Sequence, residues 1–303
     1  MLAGVGAYAI WGLFPLYWPL LVPAGAMEIL AHRIVWSAVL VIGGLAVARH
    51  WGWLRTMGAA RARWLALAAV VVGLNWGVYI WAVNSAHVVE ASLGYFINPL
   101  VTVCLGVLVL GERLRPMQWS ALGVGAVAVA VLTVNYGKPP LIALVLAASF
   151  ATYGLAKKKA GMPAVEGLSV ETGLLFLPAT AYLVWLGSTG RGTFATFGLT
   201  HSLLLAGSGL VTAVPLLLFG YSAVRIPLST LGLLQYLTPM LQFIIGVFLD
   251  HEPMPAVRWL GFGLVWVALA VLSADGLLGA GRRRSRRRAL MEVAVDAAES
   301  SPV

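Results

Sequence analysis

Seven polar side chains lie inside long apolar stretches of this sequence, where they are candidates for binding a small molecule. They are Asn75, Tyr79, Tyr95, Asn98, Gln235, Thr238 and Gln242. Tyr95, Asn98 and Thr102 fall within about 60° of one another around an α-helix, and Asn75 and Tyr79 share a face of another helix. Because polar groups are unfavourable in contact with lipid, these faces are expected to line a central cavity.

A second interpretation of the same residues is that they only join helices. Interhelical hydrogen bonds in membranes contribute about 0.6 kcal/mol each on average. Pro99 and Pro239 lie beside the two polar stripes and are expected to interrupt the backbone hydrogen bonds of their helices, which would free carbonyl groups there. The sequence leaves both interpretations open, a cavity and packing.

Glu28, His32 and Arg33 form the one charged cluster within an apolar span. Glu28 and His32 are one helical turn apart, and Arg33 is rotated by about 100° from His32. Ionisable groups at membrane depth are functional candidates, so the cluster predicts gating or recognition of a charged group. The alternative is an ion pair at the outer end of the helix, with Arg33 extending toward the membrane surface.

The sequence contains no motif for catalysis, nucleotide binding or metal binding. H-E-x-x-H, G-x-S-x-G and the Walker A pattern are missing, and the five histidines are scattered. Cys104 is the only cysteine, so no intrachain disulfide can form. We therefore expect no catalytic residues, no metal and no cofactor, and we expect that the protein does not hydrolyse ATP.

The composition shows which elements must position these residues. Of 303 residues, 60% are apolar and 10% are charged, whereas a soluble domain carries about 25% charged residues. A helix crosses the hydrocarbon core with about 20 apolar residues. The sequence predicts an all-α integral membrane protein with ten transmembrane helices, at 3–22, 29–48, 64–84, 91–110, 116–135, 139–156, 168–187, 202–222, 227–249 and 256–274.

Positive charge predicts the orientation of these spans. With the N-terminus inside, 16 of the 20 Lys and Arg residues fall in cytoplasmic segments, and only Lys138, Arg191 and Arg258 fall in outer loops. This asymmetry predicts that both termini are cytoplasmic. The arginines of residues 282–288 are expected to stop translocation and to touch lipid headgroups rather than nucleic acid. The polar end of the chain is expected to be disordered.

The two halves of the chain align without a gap at an offset of 140 residues. The matches are Pro99 with Pro239, Gly106 with Gly246, Glu112 with Glu252, Trp119 with Trp259 and Gly123 with Gly263. A repeat of five helices must insert its second copy upside down. The sequence predicts two inverted five-helix repeats, 1–137 and 138–276, followed by a tail at 277–303. Inverted repeats are typical of secondary transporters, which bind substrate between the halves.

The residues reached so far resemble the RarD proteins, in the EamA group of the drug/metabolite transporter superfamily. The resemblance covers about residues 3–275. It rests on Tyr8 to Gly12, Glu28 to Arg33 with Trp36 and Ser37, Asn75 and Trp76, Glu90 to Leu100, Gly111 to Arg113, Tyr153 to Leu155, Lys158 and Lys159, Glu171 and Thr172, Leu228 to Gly232, Gln235 and Tyr236, and Trp266 to Ala270. One departure is Asp250 to Pro253, where the family tends to have Gly-Glu.

The resemblance implies ten helices in two inverted repeats, in the cytoplasmic membrane of a bacterium. It also implies a permease that exports or exchanges a small organic solute by alternating access. The expected partners are that substrate and the lipid bilayer, with no nucleic acid, and a homodimer is left open. Two rival functions are a membrane protein that binds partners without transport and, less favoured, an intramembrane enzyme, which would need clustered acids or histidines.

Overall fold

A computed structural model of the chain describes residues 1–85, 87–136, 139–248 and the positions 259, 263, 264, 266 and 267. All the regular secondary structure in this part of the chain is helical. The helices are α1 (Leu2–Gly12), α2 (Ala26–Val47), α3 (Trp53–Thr56), α4 (Ala59–Asn84), α5 (Val88–Leu110), α6 (Pro116–Tyr136), α7 (Leu141–Ala160), α8 (Ala164–Ser188), α9 (Gly198–Ala223), α10 (Leu228–Leu234) and α11 (Leu237–Phe248).

Six of these helices are long and apolar enough to cross a membrane. They are α2, α4, α5, α7, α8 and α9, and shorter apolar segments occur at Leu2–Leu16 and Pro116–Val131. Backbone polar groups in lipid must bond internally, and these helices meet that condition. The chain is therefore a multi-pass helical membrane protein. The predicted span 256–274 lies almost wholly outside the described residues, and the tail 277–303 lies entirely outside them.

The first predicted span, 3–22, is not one α-helix. The helix α1 ends at Gly12 and is followed by two short 3-10 segments, Phe14–Leu16 and Trp18–Leu21. Pro15 and Pro19 lie at the starts of these segments and have no N–H to continue an α-helical ladder. The chain therefore changes helix type where α1 would otherwise reach the end of the span.

The ninth predicted span, 227–249, is divided into α10 and α11. The break at Gln235 and Tyr236 precedes Pro239, which cannot donate to the carbonyl four residues earlier. The predicted interruption therefore occurs in this span. The helix α5 runs through Pro99 without a break, although Pro99 has no N–H to bond the carbonyl of Tyr95. The two prolines that match in sequence thus have different effects on their helices.

The helices pack in a bundle in which each half contacts the other. In the described chain, α4 lies against α7 and α8, while α9 lies against α1 and α2. The helix α5 packs on α7 and α10, and α11 packs on α1. Tyr8, Tyr153 and Phe219 are fully buried where α1, α7 and α9 meet, with the Tyr153 and Phe219 rings stacked at 5.4 Å.

Candidate functional site

A small cavity lies among α2, α4, α7, α8 and α9. Its volume is about 10 Å³, which is room for about one water molecule. Its walls include the apolar side chains Trp76, Leu175 and Leu216 and the polar side chains Ser37, Thr212 and Glu171. A mostly apolar lining with a few convergent polar groups is typical of small-molecule sites, but those sites have volumes of about 300–1,000 Å³, so this cavity must widen to admit a solute.

Arg33 lies at the edge of this cavity, because two of its contacts, Trp76 and Thr212, belong to the lining. Its guanidinium carbon is 5.6 Å from the centre of the Phe14 ring, 4.8 Å from Trp18 and 5.3 Å from Trp76. Such distances allow cation–π attraction to all three rings. The 3-10 segments after α1 supply two of these rings, so the change of helix type at Pro15 and Pro19 helps to build the site.

The Arg33 guanidinium has few polar partners. Its Nε donates to Thr212 Oγ1 at 2.8 Å, and no other hydrogen-bond acceptor or carboxylate pairs with it among the described residues. Tyr79 and Tyr95 interact with its charge electrostatically, and their rings make a T-shaped contact at 6.2 Å. Two of the predicted binding residues therefore lie near Arg33.

Glu28 and His32 have other roles than pairing with Arg33. Glu28 Oε1 accepts the backbone N–H of Thr193 at 2.7 Å, so it fixes the loop between α8 and α9. His32 stacks on Phe194 at 4.9 Å and accepts the Trp36 indole N–H at Nδ1, 3.2 Å away. The outer-end ion pair is absent from the described structure. The cluster that the sequence suggested separates into loop contacts and one cation at the cavity.

Asn75 joins α4 to α7. Its side-chain amide donates to the Leu146 carbonyl and to Ser149 Oγ, both at 2.9 Å. These bonds match the packing interpretation for this residue. Tyr79, one turn later on α4, is 38% exposed and is free of such interhelical ties apart from its contact with Tyr95.

Asn98 and Gln235 belong to a polar chain between α5 and the break before α11. Thr102 Oγ1 donates to Asn98 Oδ1, and Gln235 Nε2 donates to Thr102 Oγ1, both at 3.3 Å. A Cβ on Gly232 would come within 3.1 Å of the Pro99 carbonyl oxygen, so the two backbones are in close contact there. The sequence predicted a cavity between spans four and nine. The cavity that the structure describes lies near Arg33 instead.

Thr238 and Gln242 hold α11 against α1. Thr238 Oγ1 donates to the Tyr8 carbonyl at 2.9 Å, and Gln242 Nε2 lies 3.4 Å from the Trp11 carbonyl. Gln235 Oε1 and the Tyr8 hydroxyl are both buried, and neither has a hydrogen-bond partner that meets the distance and angle criteria among the described residues.

The sequence reasoning missed a buried ion pair beside the cavity. Lys157 Nζ lies 2.7 Å from Glu171 Oε1, and the Tyr153 hydroxyl donates to Glu171 Oε2 at 3.0 Å. Both charged side chains are at most 3% exposed. The predicted span 139–156 ends before Lys157 and leaves it among the cytoplasmic loop charges, which is wrong, because α7 continues to Ala160 and α8 already begins at Ala164. The missed signal was Glu171, a lone carboxylate in an apolar run.

Comparison with known proteins supports one family throughout. The profile of the EamA-like transporter family matches residues 1–134. A protein RarD from Streptomyces exfoliatus is 58% identical over 291 residues, which cover 95% of this chain and 92% of the relative. The protein RarD of Escherichia coli strain K12 is 41% identical, over 91% of this chain and 94% of that protein.

The chain belongs to the RarD family of EamA-like transporters.

Further relatives of this RarD chain carry transporter names. An uncharacterized transporter of Vibrio cholerae is 44% identical over 94% of this chain and 96% of its own length. The crystal structure of another protein has the same fold as this chain, with a TM-score of 0.63 and 20% sequence identity. The match covers 89% of this chain and 95% of the other chain. The RarD family is thus supported over nearly the whole length, including the segment that contains Arg33.

Proposed function

We propose that this RarD-family protein is a secondary permease that exports or exchanges a small organic solute across the bacterial cytoplasmic membrane. The observation that carries the proposal is the cavity beside Arg33, in a chain whose relatives are named transporters. First-half helices α2 and α4 and second-half helices α7, α8 and α9 enclose it. Substrate sites between two halves of a bundle are typical of secondary transporters.

Alternating access requires two halves that can exchange conformations. The proposed repeats are residues 1–137 and 138–276, inserted in opposite orientations, with both termini in the cytoplasm. Helix pairing supports this proposal, because each of three contacts between the halves has a counterpart. The contact of α4 with α7 corresponds to that of α9 with α1, and the contact of α5 with α7 corresponds to that of α11 with α1. The contact of α2 with α9 corresponds to that of α8 with α4. A two-fold relation between the halves produces such matched pairs.

The first experiment is a thermal-shift screen of the purified, detergent-solubilised protein. The panel contains amino acids, chloramphenicol and common organic metabolites, and each compound that raises the unfolding temperature is then tested for uptake into proteoliposomes. A ligand that binds only the native state stabilises it by mass action. A well-folded protein that neither binds nor transports any member would favour a partner-binding role without transport.

Three variants locate the site for any compound that binds. Trp76→Leu removes a wall of the cavity, and Asn98→Leu breaks the polar chain between α5 and α11. Trp119→Leu is the control, because Trp119 is 53% exposed on α6. We expect the ligand-induced shift to fall in Trp76→Leu and to persist in Trp119→Leu. A loss confined to Asn98→Leu would move the site to the stripe that the sequence suggested.

A further inference from the structure

We propose that Arg33 binds the carboxylate of a small organic monoanion whose body is apolar or aromatic. This inference names the substrate class of the permease and therefore rests on the function proposed above. It starts from a charge that has no counter-charge. The guanidinium carries five N–H donors, and Thr212 Oγ1 is the one acceptor that the described residues supply.

A cation inside the membrane is costly unless an anion or good hydrogen bonds accompany it. The described carboxylates are engaged elsewhere. Glu28 accepts the Thr193 N–H at 2.7 Å, and Glu171 pairs with Lys157 at 2.7 Å. A bound carboxylate would supply both the missing negative charge and two oxygens that match the planar fork of the guanidinium.

The aromatic rings around Arg33 restrict how an anion can approach. Phe14, Trp18 and Trp76 cover the guanidinium at 5.6, 4.8 and 5.3 Å, and they exclude water from those sides. Trp76 and Thr212 also line the cavity, so the guanidinium borders it, and the proposed carboxylate approaches from that side. A carboxylate seated there would direct the rest of the ligand into the cavity.

The remaining lining selects the body of the ligand and its charge. Trp76, Leu175 and Leu216 offer apolar surface, which suits a flat or aliphatic group. Glu171 is already neutralised by Lys157 and the Tyr153 hydroxyl, so it is not available to an ammonium group. The described cavity thus has one uncompensated positive charge and no free carboxylate, which favours a monoanion over an amine or a zwitterion.

The test compares ligands that share a body and differ in charge. Indole-3-propionate, its primary amide, tryptamine and tryptophan are titrated against the full-length protein in detergent, together with phenylpropionate and its amide. We expect both carboxylates to bind at least about tenfold more tightly than their amides. Tryptamine is expected to bind no better than the amide. Equal binding of carboxylate and amide would overturn the proposal without any variant.

The variants Arg33→Gln and Arg33→Lys then separate charge from shape. Arg33→Gln is expected to weaken carboxylate binding about 10- to 100-fold and amide binding by much less, because a neutral carbonyl gains less from the guanidinium than a carboxylate does. Arg33→Lys should retain part of the preference, since lysine keeps the charge without the fork. Each variant is first checked for monodispersity by gel filtration. Undiminished carboxylate binding in a folded Arg33→Gln protein would refute the assignment.

Uptake into proteoliposomes distinguishes failure of this site from failure of the transport function. If indole-3-propionate binds through Arg33 but no solute is transported, the anion site stands and the permease function falls. If the Arg33→Gln variant binds carboxylates undiminished and still transports a neutral or cationic solute, the permease function stands and the anion site falls.

Discussion

At the scale of single residues, two cationic side chains inside the bundle have opposite electrostatic environments. Lys157 is ion-paired with Glu171, and the Tyr153 hydroxyl satisfies the second carboxylate oxygen. Arg33 has aromatic faces and the Thr212 hydroxyl but no carboxylate in the described chain. The first arrangement is complete by itself and therefore structural. The second leaves a charge for a ligand to neutralise.

Removing one partner of the buried pair should destabilise the protein strongly. In Lys157→Met the Glu171 carboxylate would remain buried without its cation, which costs about 3–5 kcal/mol in buried pairs. We expect a clearly lower unfolding temperature for the detergent-solubilised variant.

The double variant Lys157→Met/Glu171→Met is the control for this prediction. It removes both charges, and well-packed apolar replacements of ion pairs are often neutral or stabilising. We expect the double variant to regain most of the stability that Lys157→Met loses. If both variants unfolded at the same low temperature, packing of the long side chains rather than charge pairing would explain the loss.

At the scale of elements, close backbone contacts and loop anchors set the bundle geometry. A Cβ on Gly209 of α9 would overlap Trp36 Cβ and would lie 2.8 Å from the Ser37 nitrogen of α2. Ser37 Oγ also donates to the Gly209 carbonyl at 2.9 Å. Small residues allow such approach between membrane helices. This crossing aligns Arg33 on α2 with Thr212 on α9.

Gly209→Ala should separate α2 from α9, because the new methyl group overlaps backbone and Cβ atoms rather than a flexible side-chain end. Overpacking of this kind costs about 1–3 kcal/mol. The measurement is the unfolding temperature in detergent. Gly43→Ala on α2 is the control, since nothing lies within 4 Å of that position, and it should unfold at or slightly above the wild-type temperature. Equal effects of both changes would show that α2 and α9 can separate freely.

Glu112 anchors the start of α10. Its carboxylate accepts the Leu228 N–H at 2.7 Å, the Ser229 N–H at 2.8 Å and the Ser229 hydroxyl at 2.7 Å. Glu112 thus caps the start of α10, and its repeat partner Glu252 lies outside the described residues.

Glu112→Ala should therefore lower the unfolding temperature, because it leaves two N–H groups at the start of α10 without acceptors, at a cost of about 1–3 kcal/mol. Arg113→Ala serves as the control, since that neighbouring side chain is exposed. Glu112→Ala should also reduce the ligand-induced rise in unfolding temperature for any ligand whose binding depends on α10. An unfolding temperature equal to that of Arg113→Ala would mean that water replaces the carboxylate.

At the scale of the whole molecule, orientation and the relation of the two halves decide function. The excess of Lys and Arg on one side predicts a cytoplasmic N-terminus. Moving Lys157 from the loops into the bundle lowers that excess by one charge and leaves its sign unchanged.

Cysteine labelling tests this orientation. In a Cys104→Ser background, Arg191→Cys should react with a membrane-impermeant thiol reagent in intact cells, and Arg61→Cys should react only after permeabilisation. Both positions are exposed. The parent Cys104→Ser protein shows the labelling background. The opposite pattern would place the N-terminus outside and reverse the predicted topology.

Much of the fold could be predicted from the sequence, because lipid imposes helices on apolar runs of this length. The runs at 29–48 and 91–110 correspond to α2 and α5. Two details depended on proline context. Pro99 continues its helix, while the same residue type at Pro239 follows a break. Whether a neighbouring helix supports the interrupted ladder is a tertiary property, so matching residues behave differently.

The sequence by itself determined the class of protein and the candidates for chemistry, since composition and spacing follow directly from residue order. The tertiary structure decided which candidates face a cavity. Asn75 and Thr238 bond to neighbouring helices, and Arg33 meets three aromatic rings from two distant segments. Residue spacing predicts which side chains share a face of one helix. Whether a charge on that face is paired depends on the side chains of the other helices that pack against it.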